Sequence, residues 1–67
     1  MSINLTDFKR GMSRVQVLSK IKQNGVKHSE FDLDTDKGVV KAIDVIINDI
    51  QVTLVFDTAD KFSDYEI

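Results

Sequence analysis

Hydrophobic positions change period once along this 67-residue chain, near residue 26. Before that point they recur at helical spacing. Val17, Leu18 and Ile21 form an apolar stripe with Val15 at its margin. Ser13 stands where a helix N-cap belongs, Gln16 completes a capping box, and Met12 and Val17 are placed as a hydrophobic staple. The main helix is therefore predicted from about residue 14 to 24. Gly25 suits the left-handed position after its last turn, and Val26 is placed to touch Ile21. A shorter helix is predicted over 5–10, capped by Asn4, stapled by Ile3 and Phe8, and stopped by Gly11. Six residues cannot hold a helix alone, so it must dock on other elements.

From residue 26 the pattern alternates. Phe31 and Leu33 interleave with Glu30, Asp32 and Asp34, which is strand patterning with one wet face. Thr35-Asp36-Lys37-Gly38 is a turn. Val39–Ile47 is a strand rich in β-branched residues, and Ile50–Phe56 is a third strand after the tight turn Asn48-Asp49. Asp57–Lys61 is a loop, and Phe62–Ile67 a fourth strand.

A two-residue loop at Asn48-Asp49 sets a register. Ile47 then faces Ile50, Val45 faces Val52, and Ile43 faces Leu54, giving three apolar pairs on one face. This is the expected inner face, under the helices. Lys41 falls opposite Phe56 and is expected at the rim, its stem on the core and its charge in water. The outer face is expected to hold Val40, Ala42, Asp44 and Ile46 from one strand and Gln51, Thr53, Val55 and Asp57 from the next. The first strand is expected to add His28, Glu30, Asp32 and Asp34. With Tyr65 and Ile67 inward, the fourth adds Asp64 and Glu66. Seven carboxylates would then share one side with no Lys or Arg from the strands.

The net charge of −2 hides an asymmetry. Residues 1–29 carry a net +5 and residues 30–67 a net −7, which bears on partners more than on fold. The chain has no Cys and no Pro. That excludes a thiol nucleophile, a Cys-based metal site and a disulfide. No apolar run approaches the roughly 20 residues of a membrane span, and no signal peptide is visible at Met1-Ser2-Ile3-Asn4. The expectation is a cytoplasmic protein of one domain, residues 1–67, with 1–25 helical and 26–67 a β-meander.

Candidate chemistry follows from the charges. Alternate residues on a strand lie about 6.7 Å apart and neighbouring strands about 4.8 Å. Carboxylates on that grid repel one another, and a basic partner groove would relieve the repulsion. The alternative is a solvated face that is acidic without a partner. Asp32 to Gly38 has the alternating oxygens of a calcium loop, but its Gly is one residue late and Ile43 stands where the closing Glu belongs; no metal site and no cofactor are expected. Lys9, Arg10 and Arg14 cluster at the joint between the helices, where they can meet phosphate. The basic residues of the main helix form no stripe, and no aromatics are interleaved for stacking. His28 is the only His and Ser13 is better used as a cap, so no catalytic residue is assigned.

The run Gly11-Met12-Ser13-Arg14-Val15-Gln16-Val17, followed later by Val52-Thr53-Leu54-Val55-Phe56-Asp57, resembles the SmpA/OmlA (BamE-like) family. In that family a Gly-Met-Thr/Ser start and a Gln/Glu-Val pair open the second helix before an antiparallel meander. The resemblance implies the layout ααβββ(β), shared in outline with β-lactamase-inhibitor proteins. Members are typically acylated lipoproteins with a Gly-x-Pro after the second helix. This chain has no Cys to acylate and carries Asn24-Gly25 near that place.

The sequence thus predicts an α+β fold, two N-terminal helices packed on one face of a three- or four-stranded antiparallel sheet. The expected function is a small non-enzymatic protein-binding module. Its acidic sheet face, Glu30, Asp32, Asp34, Val40, Ala42, Asp44, Ile46, Val55, Asp57, Asp64 and Glu66, would meet a basic protein surface, in its concrete form as an inhibitor that imitates nucleic acid. The alternatives are a BamE-like assembly accessory or adaptor, and nucleic-acid binding through the basic helical half. Val40, Ala42, Ile46 and Val55 are equally placed to form a homodimer seam.

Overall fold

The computed structural model describes residues 4–67. One turn of 3-10 helix, Leu5–Asp7, precedes a single α-helix, α1 (Arg14–Gln23). Four strands follow, β1 (His28–Thr35), β2 (Gly38–Ile47), β3 (Ile50–Phe56) and β4 (Phe62–Glu66), as an antiparallel meander in the order β1-β2-β3-β4.

The expectation of two helices on the sheet is corrected: among the described residues only one α-helix forms. The Asn4 N–H donates to the Asp7 carboxylate at 3.0 Å, and the Asp7 N–H donates back to the Asn4 carbonyl at 2.9 Å. That closes one turn. Phe8 then adopts an extended conformation (φ −104°, ψ 118°) and drives its ring into the core. A second helical turn would carry Phe8 away from that pocket, and burying the ring outweighs one more turn of an isolated helix. The staple expected between Ile3 and Phe8 involves a residue outside the described ones.

The main helix forms as its caps require. The Gln16 N–H donates to Ser13 Oγ at 3.2 Å and the Ser13 N–H to Gln16 Oε1 at 3.0 Å, completing the capping box. At the other end the Gly25 N–H donates to the Lys22 carbonyl and the Val26 N–H to the Ile21 carbonyl. This is a Schellman ending, with Gly25 left-handed at φ 64°. Val17 and Ile21 are fully buried, while Val15 is exposed.

The hairpin between β2 and β3 has the predicted register, Ile43↔Leu54, Val45↔Val52 and Ile47↔Ile50. Asn48 and Asp49 both take positive φ, 52° and 65°, as a two-residue turn of this hand demands. The core joins Val17 and Ile21 to Ile43, Val45, Ile47, Val52, Leu54 and Phe56. It is closed at one end by aromatic rings, with Phe62 centred 6.3 Å from Phe8 and 6.0 Å from Phe56. There the chain before α1 lies along the start of β4. The Gly11 N–H donates to the Phe62 carbonyl, and the Phe62 N–H to the Met12 carbonyl at 2.7 Å.

The facing of β1 is the second correction. Its register with β2 is Glu30↔Ile43, Phe31↔Ala42, Asp32↔Lys41 and Leu33↔Val40. Residues directly opposite share a face. His28, Glu30, Asp32 and Asp34 therefore lie on the helix side, and Phe31 and Leu33 on the side away from it. Lengths explain this. A ten-residue helix is about 15 Å long, whereas a ten-residue strand is about 33 Å. The molecule measures 36 × 19 × 17 Å, so α1 covers only part of β2. Beyond the helix the helix side is wet, and the apolar side chains of β1 gain more on the other side, against Val40 and Ala42. Those two are 7% and 1% exposed although no helix lies over them.

Candidate interaction surface

The sheet face away from α1 gathers most of the predicted partner-binding residues, and the helix side holds the other three, Glu30, Asp32 and Asp34. By register it carries Phe31 and Leu33 from β1, Val40, Ala42, Asp44 and Ile46 from β2, Gln51, Thr53 and Val55 from β3, and Asp64 and Glu66 from β4. Alternation continues past Phe56 to place Asp57 at its rim. Of the seven carboxylates expected here, four are present: Asp44, Asp57, Asp64 and Glu66. Glu30, Asp32 and Asp34 are on the other side. No strand places a Lys or Arg on this face.

The four differ in what holds them. Asp44 is fixed, accepting from Thr53 Oγ1 at 2.6 Å and from Gln51 Nε2 at 3.3 Å. Asp57 shapes the loop before β4, because its Oδ1 accepts from the Ala59 N–H at 2.9 Å and the Lys61 N–H at 3.0 Å. Asp64 accepts from the neighbouring Tyr65 N–H at 2.8 Å. A bulge between Val55 and Phe56 lets β4 carry Phe62 into the core and still keep Asp64 opposite Val55. Tyr65, opposite Leu54, lies on the helix side as expected but stays exposed.

The relief of this face is shallow. One depression of about 460 Å³ is lined by Thr35, Lys37, Val40, Val55, Asp57 and Ser63 among others. A second of about 260 Å³ lies beside Lys27, His28, Asp44 and Ile46. Both are open. Apolar exposure is concentrated at Phe31, 36% exposed, and Ile46, 48% exposed.

The helix-side carboxylates have partners within the chain. Arg14 Nε donates to both oxygens of Asp60 at 2.9 and 3.0 Å, and Nη1 donates to Glu30 Oε1 at 3.0 Å. The hydrogen bond it donates to Asp60 is the main reason the guanidinium holds its proton more firmly than usual. Lys41 Nζ lies 2.7 Å from Asp32 Oδ1, so the cation expected at the rim has an ion-pair partner. Arg14 is thus committed to two acids and not displayed with Lys9 and Arg10 for phosphate. Asp32 and Asp34 fan along a strand, and among the described residues no three acidic, His or Cys side chains converge on a point. The ties of Arg14 span 16 and 46 residues and leave no local signal in the sequence.

No helix of the described chain is long and apolar enough to cross a membrane. Comparison with protein-family models, with curated proteins and with solved structures finds no match to this chain. The functional reading therefore rests on the surface itself.

Proposed function

We propose that the chain is a non-catalytic protein-binding module that uses the sheet face away from α1 to engage a basic protein surface. The supporting observation is the composition of that face. Asp57, Asp64 and Glu66 flank an apolar strip on its β4 side and Asp44 stands within it; no strand residue on this face is a cation, and Lys27 and Lys37 reach its two ends from outside the strands. Carboxylates at the edge steer a basic partner and speed its encounter, while Phe31 and Ile46 supply desolvated contact. A second copy fits poorly, because a two-fold seam would set these acids against themselves. The dense charge grid of a nucleic-acid mimic loses its main support, since three of seven acids lie on the other side.

Size limits the affinity. Strands of 8, 10, 7 and 5 residues, at about 3.3 Å per residue and about 4.8 Å between strands, offer roughly 500 Å², less than the roughly 800 Å² per partner of a standard interface. The binding expected of this face alone is transient and salt-sensitive.

The experiment is capture from a lysate with three immobilised proteins: wild type, Asp64→Lys/Glu66→Lys/Ile46→Ser, and Asp34→Lys. A basic protein held by the first and third and lost by the second is expected, with purified partner binding more weakly as salt rises. Equal capture by all three, or binding insensitive to salt, would overturn the proposal.

A further inference from the structure

The outermost strand, β1, has an open side. It ends the sheet order, and its backbone bonds to nothing beyond β2 among the described residues. Which of its groups face outward follows from one bond. The Ile46 N–H donates to the Lys27 carbonyl at 3.2 Å, so Lys27 and Ile46 form a hydrogen-bonded pair in the register of this hairpin. Such pairs alternate along an antiparallel ladder. Ser29, Phe31, Leu33 and Thr35 therefore bond to β2, and the N–H and C=O groups of His28, Glu30, Asp32 and Asp34 point away from the sheet. Free edges are blunted by charged side chains, Pro or a bulge; His28–Thr35 has no Pro, Lys or register shift, and its charges are the carboxylates of Glu30, Asp32 and Asp34, which repel an acidic or identical strand but not a basic one. The opposite edge differs, because the start of β4 is already covered by Gly11–Ser13.

We propose that the open edge of β1 accepts an extended segment of alternating basic and apolar residues as a fifth, antiparallel strand. Unpaired backbone groups supply the attachment, as in other cases of strand addition. Side chains supply the selection. A partner residue opposite Glu30, Asp32 or Asp34 lies on the helix side next to a carboxylate, so Lys or Arg fits there. The residues between lie beside Phe31 and Leu33 on the other side, so apolar residues fit there. Asp34 makes no ion pair among the described residues, and Glu30 and Asp32 share theirs with Arg14 and Lys41. A second copy is the wrong occupant: antiparallel β1–β1 pairing about Asp32 sets Asp32 against Asp32 and Glu30 against Asp34, and like charges directly opposite destabilise a ladder. This proposal uses the edge and not the face, and it stands or falls separately from the function above.

The test uses the whole chain and an end-blocked eight-residue peptide of alternating lysine and valine, followed by amide NMR and hydrogen exchange. Slowed exchange at Glu30, Asp32 and Asp34 on peptide addition is expected. N-methylation of the peptide's lysines, which occupy the hydrogen-bonded positions, should abolish binding, while N-methylation of its valines should leave it within about twofold. Asp34→Lys should weaken binding about fivefold with an otherwise native amide spectrum. Three results would overturn the proposal: equal binding of the two methylated peptides, changes confined to Asp44, Asp64 and Glu66, or edge protection that grows with protein concentration without peptide.

Discussion

Phe62→Ala tests the account of how this small chain holds together. Phe62 is 4% exposed and its ring contacts the rings of Phe8 and Phe56. Truncating a buried Phe to Ala costs about 3–5 kcal/mol through lost transfer energy and an unfilled cavity. Each aromatic pair adds about 0.5–1.5 kcal/mol within that total. A domain of 67 residues has roughly 3–10 kcal/mol of stability to lose. Phe62→Ala is therefore expected to remove about 30% of the stability at least, and all of it at the lower limit. Phe62→Leu, which keeps most of the volume, should cost about 1–1.5 kcal/mol. Urea unfolding followed by circular dichroism gives both values. Hydrogen exchange adds a local readout, because the Gly11 N–H is bonded to the Phe62 carbonyl at 3.0 Å. In Phe62→Leu the Gly11 amide should exchange faster than the amides of Val45 and Val52. A loss under about 1 kcal/mol in Phe62→Ala, or an unchanged Gly11 amide in Phe62→Leu, would refute the idea that this ring ties the N-terminal segment to β4.

Arg14→Met removes the ion network that joins α1 to β1 and to the loop before β4. The groups are partly exposed, so the expected loss is at most about 1 kcal/mol at low salt. It should shrink in about 1 M salt, where screening acts within roughly 3 Å; urea midpoints at the two salt concentrations check this. Asp49→Gly relieves a side chain held at φ 65° and should stabilise the hairpin by a few tenths to about 1 kcal/mol, seen as a raised melting temperature. Gly25→Ala should do the reverse by about 1 kcal/mol through backbone strain alone, since the added Cβ would meet nothing within 4 Å.

Local interactions made some elements legible. Ser13 and Gln16 specify a helix start whatever surrounds them, and Gly25 and Val26 specify its end. Asn48-Asp49 fixes a register because a two-residue loop leaves one way to pair the flanking strands. The first helix misled because Asn4 and Asp7 do form a cap, and only the burial of Phe8 ends the turn after three residues. The first strand misled for a different reason. The alternation of Phe31 and Leu33 with three acids says that its two faces differ, and not which face meets the helix. Thr35-Asp36-Lys37-Gly38 marks a turn without fixing its loop length; in the fold Thr35 pairs with Gly38, which places Phe31 opposite Ala42.

The sequence by itself determined the capped helix, the meander and the apolar pairs between β2 and β3. All of these rest on contacts within a few residues or across a tight turn. It also determined that acids gather in the second half of the chain. Only the tertiary structure decided how those acids divide. Ten helical residues cannot cover a ten-residue strand, so β1 turns its apolar side chains to the uncovered face and its carboxylates toward Arg14 and Lys41. Strand alternation is indifferent between the two faces, and the length of the helix, met only in the assembled fold, breaks the tie.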